Sequence, residues 1–452
     1  MAALLSVSSG CALIGETPGP SPASSGRPSD ALSDGGTSAD GSPGVRPPMD
    51  ARAPSVDGAV FTAPMRGPSP PTVSARFPFP QNRQSGRCVY PTNYLNSDVV
   101  AAYALWKRDT VTADGAGGHL RVKRTSSDGI DMCRPGGSTV SEGIAYGMLI
   151  AVYMDDQALF DGLWLYEQQN LDGNGLMNWA PQGAADGGGA SCTGAATDAD
   201  EDMAFALVMA DKQWGGQGTL PRPYKQTAVD QIGKIWATEV FQSKWIRSGD
   251  GTWATNTNVN PSYLAPAYYR VFRAVDPDQS HDWNAATSQA YSTLTDALNG
   301  NGNQNSGLVP AWCDDSSLST CRPGTPGHYQ YDSCRTPFRI GLDWCWNGYA
   351  AAQNFVQKTS SFFNGVGVSH IADGYGLDGT PRPEHPGQLS AAFIGPAAIG
   401  AMSSSVFQGF LDEAYGAVAR LDLLAGGAYY EDSWTVLSLL MMTGNFIDLT
   451  AY

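Results

Sequence analysis

Residues 196–214 read Ala196-Thr197-Asp198-Ala199-Asp200-Glu201-Asp202-Met203-Ala204-Phe205-Ala206-Leu207-Val208-Met209-Ala210-Asp211-Lys212-Gln213-Trp214. Met203, Leu207, Ala210 and Trp214 recur at i, i+4, i+7 and i+11, the spacing of one face of an α-helix. Thr197 followed three residues later by Asp200 fits the capping pattern in which a hydroxyl and an acid satisfy the first orphan N–H groups. On that reading Thr197 is the N-cap, Asp200 is structural and Asp198 takes the first helical position. Asp198 is then free to project into a cleft, although a solvated first-turn acid fits the pattern equally well.

Working outward, Val140, Ile144, Met148 and Val152 form a second helical stripe at i, i+4, i+8 and i+12. Similar stretches lie near 95–108, 156–169, 223–241, 261–275, 282–298, 333–350, 351–363, 389–402, 406–420 and 430–443. The sum is about twelve helices separated by long loops of Gly, Asn, Ser and Asp. Few runs alternate with period two, which argues against a β-sandwich or β-barrel. An all-α toroid of paired helices is therefore predicted, with loops at one end building a cleft.

Composition bounds the partners. The formal charge of −16, from 27 Lys+Arg and 43 Asp+Glu, repels phosphate backbones and anionic lipid, which argues against nucleic acid and membrane surfaces. Twelve Trp, 19 Tyr and 15 Phe supply flat apolar faces that pack cores and also stack on sugar rings. With 53 Gly and only 15% charged residues, the chain reads as loop-rich and extracellular. No stretch approaches the ~20 apolar residues that span a bilayer.

The N-terminal region differs from the rest. Leu4-Leu5-Ser6-Val7-Ser8-Ser9-Gly10-Cys11 resembles a bacterial lipoprotein cleavage box, without a basic n-region; the alternative is a truncated or misassigned start. Residues 1–11 are thus a candidate signal remnant, and Cys11 a candidate lipid anchor, the sole route to a membrane. Fourteen of the 30 prolines and none of the Trp precede residue 81, so residues 12–87 read as a Pro/Ser/Gly-rich disordered tether. The folded domain is predicted over 88–452. Of eight cysteines, Cys313 and Cys321 bracket a polar loop that a disulfide could close, which suits an oxidising compartment. No Cys/His spacing supports a metal site, and no G-x-S-x-G, H-E-x-x-H or P-loop occurs. No cofactor is expected, and a monomer is the default.

Three acids stand in unusual contexts: Glu142 in Ser-Glu-Gly-Ile-Ala-Tyr-Gly-Met, Asp198, and Asp332 in Tyr-Asp-Ser-Cys-Arg. Each falls where a loop enters a helix, a common place for functional side chains. Gly143 and Gly147 suggest open space beside Glu142. A helix N-terminus lowers a carboxyl pKa, so a proton-donating Glu142 needs burial against aromatics to raise it. By spacing alone, an acid serving the helix dipole is the plainer account. Asp332 and Arg335, three apart, suit an ion pair on one helical face.

Taken together, residues 196–214 resemble the signature of glycoside hydrolase family 8. The likeness extends through Ser141-Glu-Gly, Asn260-Pro-Ser-Tyr263, Tyr331-Asp-Ser-Cys-Arg335, Tyr429-Tyr-Glu-Asp-Ser-Trp434 and Thr443-Gly-Asn-Phe446, over about residues 88–452. The resemblance implies an (α/α)6 barrel of six helix pairs and an inverting, endo-acting hydrolase of β-1,4-linked polysaccharide. It implies Glu142 as general acid, Asp332 as general base kept ionised by Arg335, and Asp198 as the carboxylate that binds and distorts the sugar ring. Tyr263 and Arg335 then position the water and the base. Trp179, Trp253, Tyr331, Tyr429 and Tyr430 resemble sugar-stacking platforms. Cellulose or another β-glucan is the favoured polymer, xylan the next and chitosan the third. A silent carbohydrate-binding protein, or a helical scaffold for protein partners, is the reading from another class.

Overall fold

A computed structural model describes residues 74–185, 192–255, 258–299, 303, 306–314, 321–420 and 428–452. The signal remnant, Cys11 and the tether as far as residue 73 lie outside the described residues. The helices are α1 (Asn96–Thr110), α2 (Ser141–Tyr153), α3 (Gln157–Glu167), a short α4 (Pro181–Ala185), α5 (Thr197–Gln213), α6 (Tyr224–Thr238) and α7 (Pro266–Val275). They continue with α8 (Trp283–Asn299), α9 (Thr336–Asn347), α10 (Ala350–Val366), α11 (Ala391–Ala401), α12 (Gln408–Ala419) and α13 (Tyr429–Met442). Strand among the described residues is confined to three short antiparallel pairs, each of two residues a side.

Six helices close into a ring. α2 packs on α5, α5 on α7, α7 on α9, α9 on α11, α11 on α13, and α13 back on α2. Each has an outer companion: α3 beside α2, α6 beside α5, α8 beside α7, α10 beside α9, α12 beside α11 and α1 beside α13. This is the (α/α)6 barrel that the helix count and the family resemblance pointed to.

The sequence separates the two rings. Two inner helices are apolar or small almost all round: in α11, Ala391 to Ala401 are all buried, as expected of a helix covered on every side. The Val140 stripe therefore marks only part of what α2 buries, since every residue of that helix except Glu142 is buried. Outer helices bury one stripe, as in α6, where Tyr224, Ala228, Gln231, Ile232 and Ile235 face inward.

The inner helices share one polarity. Glu142 lies in the first turn of α2, Asp198 in that of α5, Tyr263 just before α7, Arg335 at the N-cap of α9 and Tyr429 at the start of α13. The start of α11 is tied to the same end, because Ser390 Oγ and the Ala392 N–H donate to Glu431 in α13 (2.6 and 3.1 Å).

At the opposite end the tether reading needs correction. Residues 74–87 pack against the barrel, with Ala75, Phe77 and Phe79 on the core. Helix C-termini leave carbonyls without partners, and this segment supplies donors to them. Arg76 N–H donates to Gln213 O (2.8 Å) at the end of α5, Gln81 Nε2 to Tyr153 O (2.8 Å) at the end of α2, and Arg83 N–H to Gly444 O (2.7 Å) after α13. Low Trp and high Pro content hid these few anchoring residues within a segment read as disordered.

Disulfides join Cys88 to Cys345, Cys133 to Cys192 and Cys313 to Cys321, leaving Cys334, among the described residues, as a buried thiol. The last bridge is the one the polar loop suggested. A chain beginning at Cys88 is expected to melt several degrees below one beginning at residue 74, each lost hydrogen bond contributing about 0.5–1.5 kcal/mol. Differential scanning calorimetry of the two chains checks this.

Candidate active site

The site is organised by Arg335, whose side chain is 1% exposed. Its Nη1 donates to both Glu142 Oε2 and Asp198 Oδ2, the latter at 2.5 Å. Its Nη2 stands 3.7 Å from Asp332 Oδ1, its Nε donates to the Asp332 carbonyl at 3.2 Å, and the guanidinium lies 5.1 Å over the ring centre of Tyr263. Three carboxylates and a tyrosine, from segments far apart in sequence, thus meet around one cation. The ion pair suggested by the i, i+3 spacing of Asp332 and Arg335 is the longest of the three contacts; the short ones go to Glu142 and Asp198.

Glu142 is the second residue of α2, and its other oxygen accepts from the Tyr429 hydroxyl at 2.8 Å. Open space beside it is not found. A Cβ on Gly143 would stand 3.3 Å from the Tyr429 ring, and one on Gly147 2.7 Å from Leu163. These glycines let neighbours approach closely, and Tyr429, which packs on Gly143, covers one side of the acid. Burial pushes the Glu142 carboxyl up to about 7; Arg335 opposes this most strongly, Asp198 adds to it and the Tyr429 hydrogen bond opposes it.

Asp198 is the second rather than the first helical residue, and the capping box on Thr197 and Asp200 does not form. The N-cap is Ala196, in extended conformation and without a side-chain cap. Ala196 bridges to Gly249, and the Thr197 N–H bonds to Ser248 O (3.2 Å). A strand-like approach therefore runs up to Ala196, and helical geometry starts at Thr197. Asp198 is 2% exposed, and its Oδ1 has no hydrogen-bond partner among the described residues.

Asp332 is held by two donors that sequence reasoning missed. Gln330 Nε2 and Trp312 Nε1 both donate to Asp332 Oδ2, at 2.7 and 3.1 Å. Trp312 also meets Tyr263 and Trp253 edge-on, at ring separations of 5.9 and 6.4 Å. No local motif marks Trp312, which reaches the site through the tertiary pairing of Cys313 with Val259. Gln330 adjoins the Tyr331-Asp-Ser-Cys-Arg335 motif, and that position was the one available hint.

The five aromatic candidates divide. Trp253 and Trp179 are half-buried; Trp179 packs by the Cys133–Cys192 bridge. Tyr331 is half-buried, meets Phe393 edge-on at 5.1 Å, and donates to Asp373 at 3.0 Å. Tyr430 is half-buried with its hydroxyl on Tyr331 O (2.7 Å). Tyr429 is the exception: it is 7% exposed and spends its hydroxyl on Glu142, so it is a partner of the acid and not an open stacking face.

With this geometry in place, comparison with known proteins becomes specific. Residues 88–444 match the family model for glycosyl hydrolases family 8. The chain belongs to that family. This family 8 hydrolase is 32% identical to endoglucanase C of Ruminiclostridium cellulolyticum, over 83% of this chain and 78% of that protein. It is 35% identical to endoglucanase A of Acetivibrio thermocellus, over 75% and 68%. A solved β-1,3-1,4-glucanase from Paenibacillus sp. X4 matches with a TM-score of 0.71 and 31% identity, over 82% of this chain and 98% of that one.

Behind Asp198, the family 8 hydrolase buries a second acidic group. Asp200 accepts from Gln231 Nε2 at 3.2 Å. Burial raises its carboxyl well above the usual range, and its nearest charges, Glu239, Glu167, Asp250 and Asp198, are all acidic and add to the rise. Glu239 is raised likewise, first by burial. Carboxyls raised in the folded state stabilise it fully below their unfolded pKa, and that contribution is lost as pH climbs through the folded values. Glu239→Gln, which removes one ionisation, is expected to flatten the fall in Tm between pH 5 and pH 9. Melting curves across that range check it, and a fall as steep as the parent's contradicts it.

Proposed function

We propose that this family 8 enzyme is an inverting, endo-acting hydrolase of β-1,4-linked glucan. The observation that carries the reading is the common guanidinium between acid and base. Glu142 and Asp332 both stand within contact range of Arg335, so acid and base face one shared space; inversion, which uses a gap of roughly 6.5–9.5 Å to admit a water, is inferred from the family resemblance. A β-glucan substrate is supported by the endoglucanase and glucanase relatives.

The chemistry then follows from the residues. Glu142, still protonated near neutrality, gives its proton to the departing glycosidic oxygen. A water held by Tyr263 and Asp332 attacks the anomeric carbon from the opposite face as that bond breaks, and Asp332 takes the water's proton. Asp198, with one oxygen on Arg335 and the other without a partner among the described residues, accepts a hydrogen bond from a hydroxyl of the distorted ring. Half-buried Trp253, Trp179 and Tyr331 offer ring faces along the polymer. Three disulfides among the described residues favour action in an oxidising compartment, and the net charge of −16 argues against an anionic polymer.

Glu142→Gln and Asp332→Asn are each expected to lower kcat about 10²–10⁴-fold with unchanged melting temperature; parental turnover in either removes its role. The alkaline limb of kcat/KM should fall near pH 7, where Glu142 loses its proton. Assays on carboxymethylcellulose, lichenan, xylan and chitosan side by side should favour the glucans, with viscosity falling faster than reducing ends appear. NMR of the first product should show the α-anomer, and a β-anomer contradicts inversion.

A further inference from the structure

Asp332 has two carboxylate oxygens, and the structure treats them differently. Oδ2 accepts from both Gln330 Nε2 (2.7 Å) and Trp312 Nε1 (3.1 Å). Oδ1 faces Arg335 Nη2 at 3.7 Å, beyond hydrogen-bond range. Gln330 is 1% exposed, and both ends of its amide serve one neighbour, since its Oε1 accepts from the Asp332 N–H at 2.9 Å. A buried amide is costly unless satisfied. This one is satisfied by closing a ring on Asp332, which fixes the rotation of the carboxylate plane.

The second donor is anchored from a different part of the chain. Trp312 N–H donates to Pro326 O (3.2 Å) and Trp312 O accepts from Gly324 N–H (2.7 Å), which seats it on the loop leading into Gln330. The next residue, Cys313, pairs with Val259 just before the turn that carries Tyr263. The Trp312 ring also meets Tyr263 edge-on. One indole therefore touches the base and the tyrosine assigned to the water, and its backbone links the segments that carry both.

We propose that Trp312 and Gln330 are positioning residues for the reaction: they occupy Asp332 Oδ2 so that Oδ1 alone is presented to the attacking water. The inference rests on the reading of Asp332 as general base. An unrestrained carboxylate would rotate and split its basicity between two directions, one of them away from the anomeric carbon. Two fixed donors also stabilise the anion that must be present before it can accept a proton. The ionisable groups facing Asp332 are Arg335 and the buried thiol of Cys334 from its own segment, Glu142 from α2, Tyr263 from the turn before α7, and His328 and Glu384 from flanking loops. Gln330→Met alters none of these groups, and Trp312→Phe keeps an aromatic ring against Tyr263.

Trp312→Phe keeps an aromatic face and removes the N–H; Gln330→Met keeps the volume and removes the amide. Each is expected to lower kcat on lichenan about 10-fold or more, the worth of a hydrogen bond to a charged group. KM should stay within about twofold, and the acidic limb of the kcat/KM profile should move to higher pH. A merely structural or sugar-stacking role would leave that limb in place, with the loss confined to KM or to melting temperature. If Trp312→Phe fails to fold, Gln330→Met carries the same test alone. Asp332→Asn, run in parallel, separates the two claims. Parental activity in Asp332→Asn overturns the base on which the inference rests. An inactive Asp332→Asn beside variants with an unmoved acidic limb overturns the orientation alone.

Discussion

Arg335 is the constraint on which the site depends. Glu142, Asp198 and Asp332 carry three potential negative charges into a partly desolvated space, where like charges repel strongly. A single buried guanidinium makes that gathering tolerable, and its fork lets one nitrogen serve two acids while a second faces the third. Burial works against its charge, but Tyr146, Tyr430, Glu142 and Asp198 more than offset that and keep it a cation. Arg335 can stand there because it is the N-cap of an inner helix, its backbone fixed by α9 and its plane supported by Tyr263. A buried charge group of this kind is weak evidence for stability; its value is geometric.

The barrel supplies the rest by polarity. The inner helices contribute their first turns, or the residues just before them, to one end, where exposed N–H groups and the positive ends of the helix dipoles favour anions. The other end presents carbonyls, and there residues 74–87 provide donors. The division explains why the motifs are scattered: each is the start of a different inner helix, and the intervening sequence is the return through the outer ring. Deeper in the barrel the same logic repeats, with Asp202 held by Arg339 and Asp343 held by Arg270 and Tyr291.

How far the sequence revealed this follows from the range of the interactions. The helices were legible because period 3.6 is local, and the family motifs singled out Glu142, Asp198, Asp332, Tyr263 and Arg335, which the fold does gather. What was misread depended on non-local partners. Thr197 has the local chemistry of a cap, yet the bridge from Ala196 to Gly249 shifts the helix start by one residue. Gly143 and Gly147 looked like space, but Tyr429 and Leu163 fill it. Trp312 has no motif, and only the pairing of Cys313 with Val259 brings it to Asp332. Composition misplaced the domain boundary, because a few side chains and backbone groups in a Pro-rich segment are enough to dock it.

The distinct roles of Glu142 and Asp332 can be argued from magnitudes. Two unit charges roughly 4 Å apart at an effective dielectric of about 20 interact by about 4 kcal/mol, equivalent to about three pH units. Contact with Arg335 alone should therefore hold Glu142 far below the usual carboxyl range. It is instead raised to about 7, because burial is the larger effect and the negative charges of Asp198 and Asp332 add to it. With Glu142 protonated, the guanidinium is left to Asp198 and Asp332, and the cluster carries one net negative charge instead of two. Asp332 differs in its surroundings: its side chain is 26% exposed and its Oδ2 receives two N–H donors. One carboxyl is thus driven by desolvation to keep a proton and the other is held by two N–H donors, although both face the same arginine.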